Sequence, residues 1–495
     1  MKHYVGIDVG TYASKGVLVD ATGRIVASAT RAHQMLVPRP GWAEHRPRED
    51  WWDEFCAISN QLIAGSGVAP ADIAAVATSA IGPCMLPVDA DGEALMNAVL
   101  YGVDTRATAE IAELDDRIGA DTILERCGNA LTSQAVGPKI LWLKRHHRAV
   151  FDKAAKIVTS TTYLVQKLTG RCVIDHYSAA NFAPLYLADE QTWSNALSDD
   201  IVPLDKLPEL AWSSDIAGTI TAAAAEATGL AVGTPVTTGT IDAAAEALSV
   251  GVLSPGDMLL MYGSTIFIIE ITADRVRDPR LWYAPWLFPG LHASMSGLST
   301  SGTLSHWFRE NFARELDPAT AVATLALEAG QSPAGAKGLV VLPYFSGERT
   351  PIHDPHAKGM IFGLDLTHRR ADVYRAVFEG IAYGTNHVFE TYAEAGVPPR
   401  AILAAGGGTN NKVWSQATSD VSGLTQIVRQ KTVGAAYGDA FIAALAVGDA
   451  KAEDITTWNP VDYEIAPDTA VLDVYAKQYQ TFRALYPRTS DLMRG

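Results

Sequence analysis

The stretch YVGIDVGTYASKGVLVD, residues 4–20, sets two apolar runs on either side of a short polar turn, Asp8-Val9-Gly10-Thr11-Tyr12-Ala13-Ser14-Lys15. Tyr4 to Ile7 and Gly16 to Val19 are β-prone, and Ala21-Thr22-Gly23-Arg24 turns the chain into a third run, Ile25 to Ala29. The pattern predicts an antiparallel meander whose first turn carries chemistry. Gly10 lets the backbone approach an anion, Thr11 and Ser14 offer hydroxyls, Lys15 offers a positive charge, and Asp8 can hold a hydrated magnesium ion. That is a phosphate cradle with its own cation site; a polar hairpin turn without function is the competing reading. No GxxxxGK(S/T) occurs, and a strand rather than a helix follows the glycine, which sets aside the two common nucleotide-loop patterns.

A second stretch repeats the design. Asp257 to Glu270, DMLLMYGSTIFIIE, reads as apolar strand, glycine with hydroxyls, apolar strand, so that Tyr262-Gly263-Ser264-Thr265 matches the first turn. Two such hairpins can grip a triphosphate from both sides. In AILAAGGGTNNKVWSQATSDVSG, Gly406, Gly407 and Gly408 follow the strand Ile402 to Ala405 and permit close packing against a planar group, with Asn410 or Asn411 in reach of a ribose or base edge. A flexible turn ahead of a helix is the alternative there. Between these sites the periodicity predicts a helix over Pro47 to Ala64 with Trp51, Phe55, Ile58 and Leu62 on one face, a buried strand over Ile73 to Ser79, and a helix carrying Val373, Val377, Ile381 and His387 to Tyr392. The repeated design points to a duplicated α/β chain. Gly251, Pro255 and Gly256 mark the join, and the expected domains are 1–250 and 251–495.

Composition agrees with a large globular protein. With 495 residues, 48% of them hydrophobic, the chain is too long for one ordinary core. The 39 basic against 55 acidic residues give a net charge of −16, which argues against nucleic acid or an anionic membrane as partner. Cys56, Cys84, Cys127 and Cys172 are widely spaced and read as reduced thiols. Asp8, Lys15 and Asp20 interrupt the first apolar run, and no segment has the ~18 uninterrupted apolar residues of a membrane span. A soluble, cytoplasmic protein is expected.

The segment LPYFSGERTPIHDPHAKGMIFGLDLTHRRADVYRAVFEGIAYG, Leu342 to Gly384, closely resembles the most characteristic segment of the FGGY carbohydrate kinases, of xylulokinases in particular. Gly359, Gly363 and Leu364 followed by Asp372, Val373, Ala376, Val377, Phe378 and Glu379 fit the family's C-terminal signature, and the resemblance runs from VGIDVGT at residue 5 to Gly438-Asp439-Ala440. It implies two RNase H-like α/β domains of the actin and sugar kinase superfamily, with an interdomain cleft holding a small sugar and MgATP. It assigns ATP to Gly10, Thr11, Ser14, Lys15, Gly263, Ser264, Thr265, Gly302, Gly406, Gly407, Gly408 and Asn411, and Mg2+ to Asp8. Asp242, in Thr240-Ile241-Asp242-Ala243-Ala244, is the implied catalytic base, since a sugar hydroxyl must lose its proton as it attacks the γ-phosphorus. Capping the helix Ala243 to Leu248 is the structural alternative for it.

The sugar itself is less legible. Where similar xylulokinases carry Gly-Gln-Met-His-Gly, this chain reads Ala80-Ile81-Gly82-Pro83-Cys84, and the Arg-Glu pair of glycerol kinases is also absent. Tyr101-Gly102-Val103-Asp104-Thr105-Arg106 keeps the Asp-x-Arg of xylulokinases and gluconate kinases. Gly82, Pro83, Cys84, Asp104, Arg106 and Asp242 are therefore the expected sugar contacts, with an Asp104–Arg106 salt bridge as the alternative. A ketopentose such as xylulose is the expected substrate, gluconate, ribulose or another polyol the alternative, and a sugar-sensing or conformational ATPase of the same superfamily the rival of another class. A homodimer is the assembly allowed for. His146-His147 is expected to be solvated, Trp51-Trp52 to pack a helix, Glu348 and Arg349 to pair, and His353 and His356 lack zinc-ligand spacing.

Overall fold

In the computed structural model, which describes residues 2–494, the chain forms two compact α/β units. The first takes in the chain up to Leu253 together with Ala273–Ala293 and Val433–Asn459; the second comprises Ser254–Thr272, Ser294–Thr432 and the chain from Pro460 onward. Two later segments thus belong to the first unit, and the units are not contiguous halves of the chain.

In the first unit the meander forms as the sequence predicts. His3–Val9, Ala13–Asp20 and Ile25–Ala32 pair antiparallel in succession. Ile73–Ala80 lies parallel to the first strand on its other side, Pro235–Thr237 parallel beyond it, and Ile216–Thr219 antiparallel at the edge. Every residue of His3–Val9 is buried, as a central strand covered on both faces requires. On one face lies the helix Glu54–Ser66, whose Phe55, Ile58 and Leu62 share a core with Val5, Ile7, Leu18, Trp51 and Trp52. Its first turns differ from the expectation: Pro47–Asp53 winds as a wider π-type turn before the regular helix begins. On the other face the helix Ala435–Ala446 packs so closely that a Cβ on Gly6 would overlap Ala436 O and Ala440 N.

The second unit repeats the order. Asp257–Tyr262 and Ile266–Thr272 form the antiparallel hairpin, Ala401–Ala405 pairs parallel to the first of them, Gln426–Arg429 parallel beyond it, and Val461–Ile465 antiparallel at the edge. The 25-residue helix Arg370–Glu394 contains the predicted apolar positions and buries most of them. Among the described residues no helix is long and apolar enough to cross a membrane. All four cysteines are free thiols.

Candidate active site

Three parallel strands of the first unit end level with one another. Asp8 is the register partner of Ser79, and Ser79 in turn pairs with Thr240 of the short strand Thr240–Ile241. The carboxyl ends of such strands are where open α/β sheets bind ligands. Here they bring Asp8 and Ser79 to the start of the helix Asp242–Ser249. Asp242 is the first residue of that helix, and its Oδ1 accepts from Ala243 N at 2.7 Å, so the side chain also satisfies an amide at the helix start.

Ser79 ties two acids together. Its hydroxyl lies 3.1 Å from Asp8 Oδ1 and 2.7 Å from Asp439 Oδ2, and its amide donates to Asp439 Oδ2 at 3.0 Å. Asp439 is fully buried, and among the described residues its Oδ1 has no hydrogen-bond partner. Burial pushes the Asp242 carboxyl up to about 7; a hydrogen bond from Ala243 N at 2.7 Å opposes the shift, and the Glu246 charge adds to it. Asp8 and Asp439 are held well above the usual carboxylate range, first by burial, with the charge of Asp242 adding to both. Burial also raises Glu246, against the pull of Lys15, which is itself exposed. An orphaned buried carboxylate oxygen among mutually repelling acids fits a cation. Among the described residues no three acidic, histidine or cysteine side chains converge tightly enough to ligate a metal directly. A hydrated ion held through its waters, the habit of magnesium, suits this set.

Other expected positions fare unevenly. Gly10 and Thr11 are half-buried at the turn and Lys15 is exposed, but Ser14 is buried and its hydroxyl donates to Glu54 Oε2 at 2.6 Å, so it is not a phosphate donor in this arrangement. Asp104 and Arg106 follow the structural alternative. The Arg106 guanidinium bonds both oxygens of Asp104 (Nε at 2.9 and 3.0 Å, Nη2 at 2.8 Å) and reaches Glu44 at 2.9 Å, while Ala43 N donates to Asp104 at 2.7 Å. Neither charged side chain of this pair is exposed. The ring of Trp42 lies 3.9 Å from Arg106 Cζ. Pro83 and Cys84 are buried, Gly82 half-buried. Cys84 Sγ sits 3.4 Å from Ile81 O, and burial pushes its thiol up to about 12. A Cβ on Gly82 would lie 2.7 Å from the Ile241 side chain, which accounts for the glycine.

Sequence reasoning passed over Tyr101 and Asp439. Tyr101 is half-buried, its hydroxyl is 3.3 Å from Thr11 Oγ1, and the Asp242 charge reaches it. The buried Lys139 donates to Leu100 O at 2.5 Å and Tyr101 O at 3.3 Å, fixing that segment. Tyr101 stood in the same quoted stretch as Asp104 and was outranked by the carboxylate. Asp439 was quoted only in the segment that closes the family resemblance, and its local signal was an acid in an otherwise apolar helix.

In the second unit the turn Gly263–Thr265 is open to solvent at Ser264. Its carbonyls are bound from behind: Gly263 O accepts from Gly302 N (3.1 Å) and Ser301 Oγ (3.0 Å), and Ser264 O from Ser301 N (3.1 Å) and Thr303 Oγ1 (2.9 Å). Gly302 therefore braces the turn, and a Cβ there would press on Gly263 O. Of the glycine triplet, Gly406 packs on Tyr262 with a left-handed φ of 91°, Gly408 packs on Trp414, and Gly407 faces open space. Asn411 accepts from Trp414 N at 3.2 Å and caps the next helix, whereas Asn410 is exposed. Glu348 accepts from Ser299 N and Arg349 N, each at 2.7 Å.

Residues 3–249 match the N-terminal domain, and residues 258–447 the C-terminal domain, of the FGGY family of carbohydrate kinases. The chain is 29% identical over 509 residues to the xylulose kinase of Bacillus subtilis, a match covering 99% of this chain and 98% of that protein. It is equally 29% identical over 495 residues to the xylulose kinase of Escherichia coli, covering 99% and 100%. The crystal structure of xylulose kinase from Rhodospirillum rubrum superposes with a TM-score of 0.92 at 32% identity, covering 100% of both chains. Both domain models together span most of the sequence, and the chain belongs to the FGGY family of carbohydrate kinases, enzymes that phosphorylate sugars with ATP.

Proposed function

We propose that the protein phosphorylates a ketopentose of the xylulose type with MgATP as phosphoryl donor and Asp242 as the base. The observation that carries this reading is the placement of Asp242: a half-buried carboxyl at the start of a helix, at the strand ends that also carry Asp8 and Ser79, where burial pushes it up to about 7 and suits it to take a proton near neutral pH. The sugar hydroxyl gives its proton to Asp242 as its oxygen attacks the γ-phosphorus, and ADP leaves. Asp8 and Asp439, joined through Ser79, are the residues that would hold the hydrated magnesium ion. Such an ion, when bound, neutralises charge on the phosphate oxygens. Within the first unit, Lys15, the Thr11 hydroxyl and the amides of the first turn bind phosphate; the second unit, taken by itself, offers its own anion-type turn at Gly263–Thr265 and an open backbone face at Gly407.

On the sugar side we assign Tyr101 and the half-buried Trp42 rather than Asp104, which its ion pair consumes. A wall with few free polar groups reads few hydroxyls, so more than one pentulose should be accepted. Coupled ADP formation with a panel of xylulose, ribulose, gluconate and glycerol tests this. Turnover with a pentulose, abolished in Asp242→Asn, is expected; sugar-independent ATP hydrolysis at full rate would replace the kinase reading with that of a conformational ATPase.

A further inference from the structure

Two buried histidines stand behind the first turn. His33 Nε2 is 3.0 Å from Gly10 O, and His45 Nε2 is 3.1 Å from Thr11 O. The His33 side chain is 3% exposed and His45 not at all, and their rings meet edge to face at 5.0 Å. Each is oriented by a further partner. Trp51 Nε1 donates to His45 Nδ1 at 3.0 Å, which leaves the ring proton of a neutral imidazole on Nε2, facing Thr11 O. Burial drives the His45 imidazole down to about 4, in keeping with that neutral form. His33 faces acceptors on both sides, Gly10 O and Glu54 Oε2 at 2.9 Å, an arrangement that calls for a proton on each nitrogen. Burial opposes that charge, but the hydrogen bond and charge of Glu54 hold the imidazole above its ordinary value. Glu54 is fixed in turn by Ser14 Oγ.

The geometry of the peptide group turns this into a statement about the other side of the turn. In a planar trans peptide the C=O of one residue and the N–H of the next point in opposite directions. Holding Gly10 O on His33 aims Thr11 N–H away from the histidines, and holding Thr11 O on His45 does the same for Tyr12 N–H. Among the described residues neither amide has an acceptor. Two unsatisfied amides facing one way form an anion-binding concavity.

We propose that His33 and His45 are positioning residues that set the first turn for phosphate by clamping its two carbonyls, so that the Thr11 and Tyr12 amides face the nucleotide. Resting on the reading of this turn as a phosphate site, the clamp predicts that the histidines act on nucleotide and not on sugar. The second unit holds the equivalent carbonyls, Gly263 O and Ser264 O, with backbone amides and hydroxyls, so the device recurs with different donors.

The test compares reach rather than polarity. His33→Leu and His45→Leu remove the donor, whereas in His33→Gln and His45→Gln the amide nitrogen takes the place of Nε2 and can still donate. With MgADP titrated calorimetrically and MgATP and xylulose varied in turnover assays, each leucine variant is expected to weaken MgADP and raise the KM for MgATP about tenfold, the equivalent of ~1.4 kcal/mol. The KM for xylulose should stay within about twofold, and the glutamine variants should recover most of the loss. Should a leucine variant not fold, His45→Asn gives the same contrast, since its shorter amide falls short of Thr11 O. Leucine or asparagine variants that bind MgADP like the parent overturn the clamp, as does an equal loss of sugar and nucleotide affinity that glutamine does not restore. Lys15→Met separates the two levels of inference: if it too leaves MgADP affinity unchanged, the phosphate reading of the turn fails first, whereas a loss with Lys15→Met alongside unaffected histidine variants sinks the clamp alone.

Discussion

Two turns of one backbone design are braced by different donors. In both units a hairpin follows the same sheet order, with a glycine as the first turn residue and two consecutive carbonyls held from behind. The second unit does this within 40 residues of chain, through Ser301, Gly302 and Thr303, where an amide and a hydroxyl supply the donors. In the first unit the donors are imidazoles, oriented by Trp51 and Glu54. The first turn also has what the second lacks: an acid one residue from the end of its leading strand, Asp8, where the second has Met261. On the proposed reading the acids of the transfer step therefore lie in the first unit, and the second turn is assigned binding alone.

The largest test of that asymmetry is Asp242→Asn. The change is isosteric and removes only the proton acceptor, so turnover should fall ~10²- to 10⁴-fold with MgADP affinity unchanged. Near-parental turnover would mean that the base lies elsewhere. The parent enzyme offers a companion measurement. As the proposed base Asp242 must be ionised to act, and burial pushes its carboxyl up to about 7, so kcat/KM should drop about tenfold for each pH unit below that value and level off above it. A profile flat from pH 5 to pH 8, roughly the range over which a shifted carboxyl would titrate, would contradict the assignment.

Next in size are the acids that share Ser79. Asp8→Ala removes the anchor for the hydrated ion, and Asp439→Asn leaves Ser79 in place but lowers the charge beside it. By analogy with outer-shell partners of metals, each should raise the magnesium concentration for half-maximal turnover about 10- to 100-fold. Unchanged magnesium dependence in Asp439→Asn would reduce that residue to a tie between its helix and Ser79. A smaller effect is expected in the second turn. Thr303→Val removes one hydroxyl from Ser264 O but leaves the backbone brace intact, so the KM for MgATP should rise only about three- to fivefold, the worth of one neutral hydrogen bond of ~1 kcal/mol. A loss as large as that of the first-turn variants would make the two turns equivalent.

What the sequence disclosed follows the reach of its signals. Strand, glycine turn and strand are local patterns, and both hairpins, the strand Ala401–Ala405 and the helix bearing Val373 to Tyr392 were legible because burial on a sheet imposes periodicity. Asp8 could be singled out because an acid near the end of an apolar run is costly unless used, whereas Asp242 stood out only through the family resemblance. Asp439 could not be tied to them, since 360 residues separate it from Ser79 and only the fold joins them. The discontinuous units escaped for the same reason: Ala273–Ala293 and Val433–Asn459 carry no local mark of where they pack. His33 and His45 are ordinary in sequence, and only their buried rings, set on two carbonyls, give them a role. Asp104 misled because a carboxylate beside a sugar-like motif and a carboxylate in a buried ion pair share one pattern; the fork of Arg106 decided between them.

The buried acids of the two units sharpen the same contrast, with no expected effect on turnover. In the first unit Asp8, Asp242 and Asp439 converge at strand ends, each with a hydrogen-bond partner. In the second, Glu270 lies within the strand Ile266–Thr272, 1% exposed, with neither carboxylate oxygen hydrogen-bonded among the described residues, and burial alone pushes it up to about 8. A carboxyl whose folded value is raised weakens the fold as pH rises. Below its ordinary value of 4.5 both folded and unfolded chains hold the proton; between 4.5 and about 8 the unfolded chain releases it while the folded chain keeps it; above about 8 the penalty is constant. At ~1.4 kcal/mol for each pH unit, the full window is worth at most a few kcal/mol. Glu270→Gln keeps the shape and removes the titration. The variant should melt at the parent's temperature near pH 4.5 and several degrees above it at pH 8, with kcat unchanged at both, so that a melting difference independent of pH would show that Glu270 carries a partner or a charge in the folded protein.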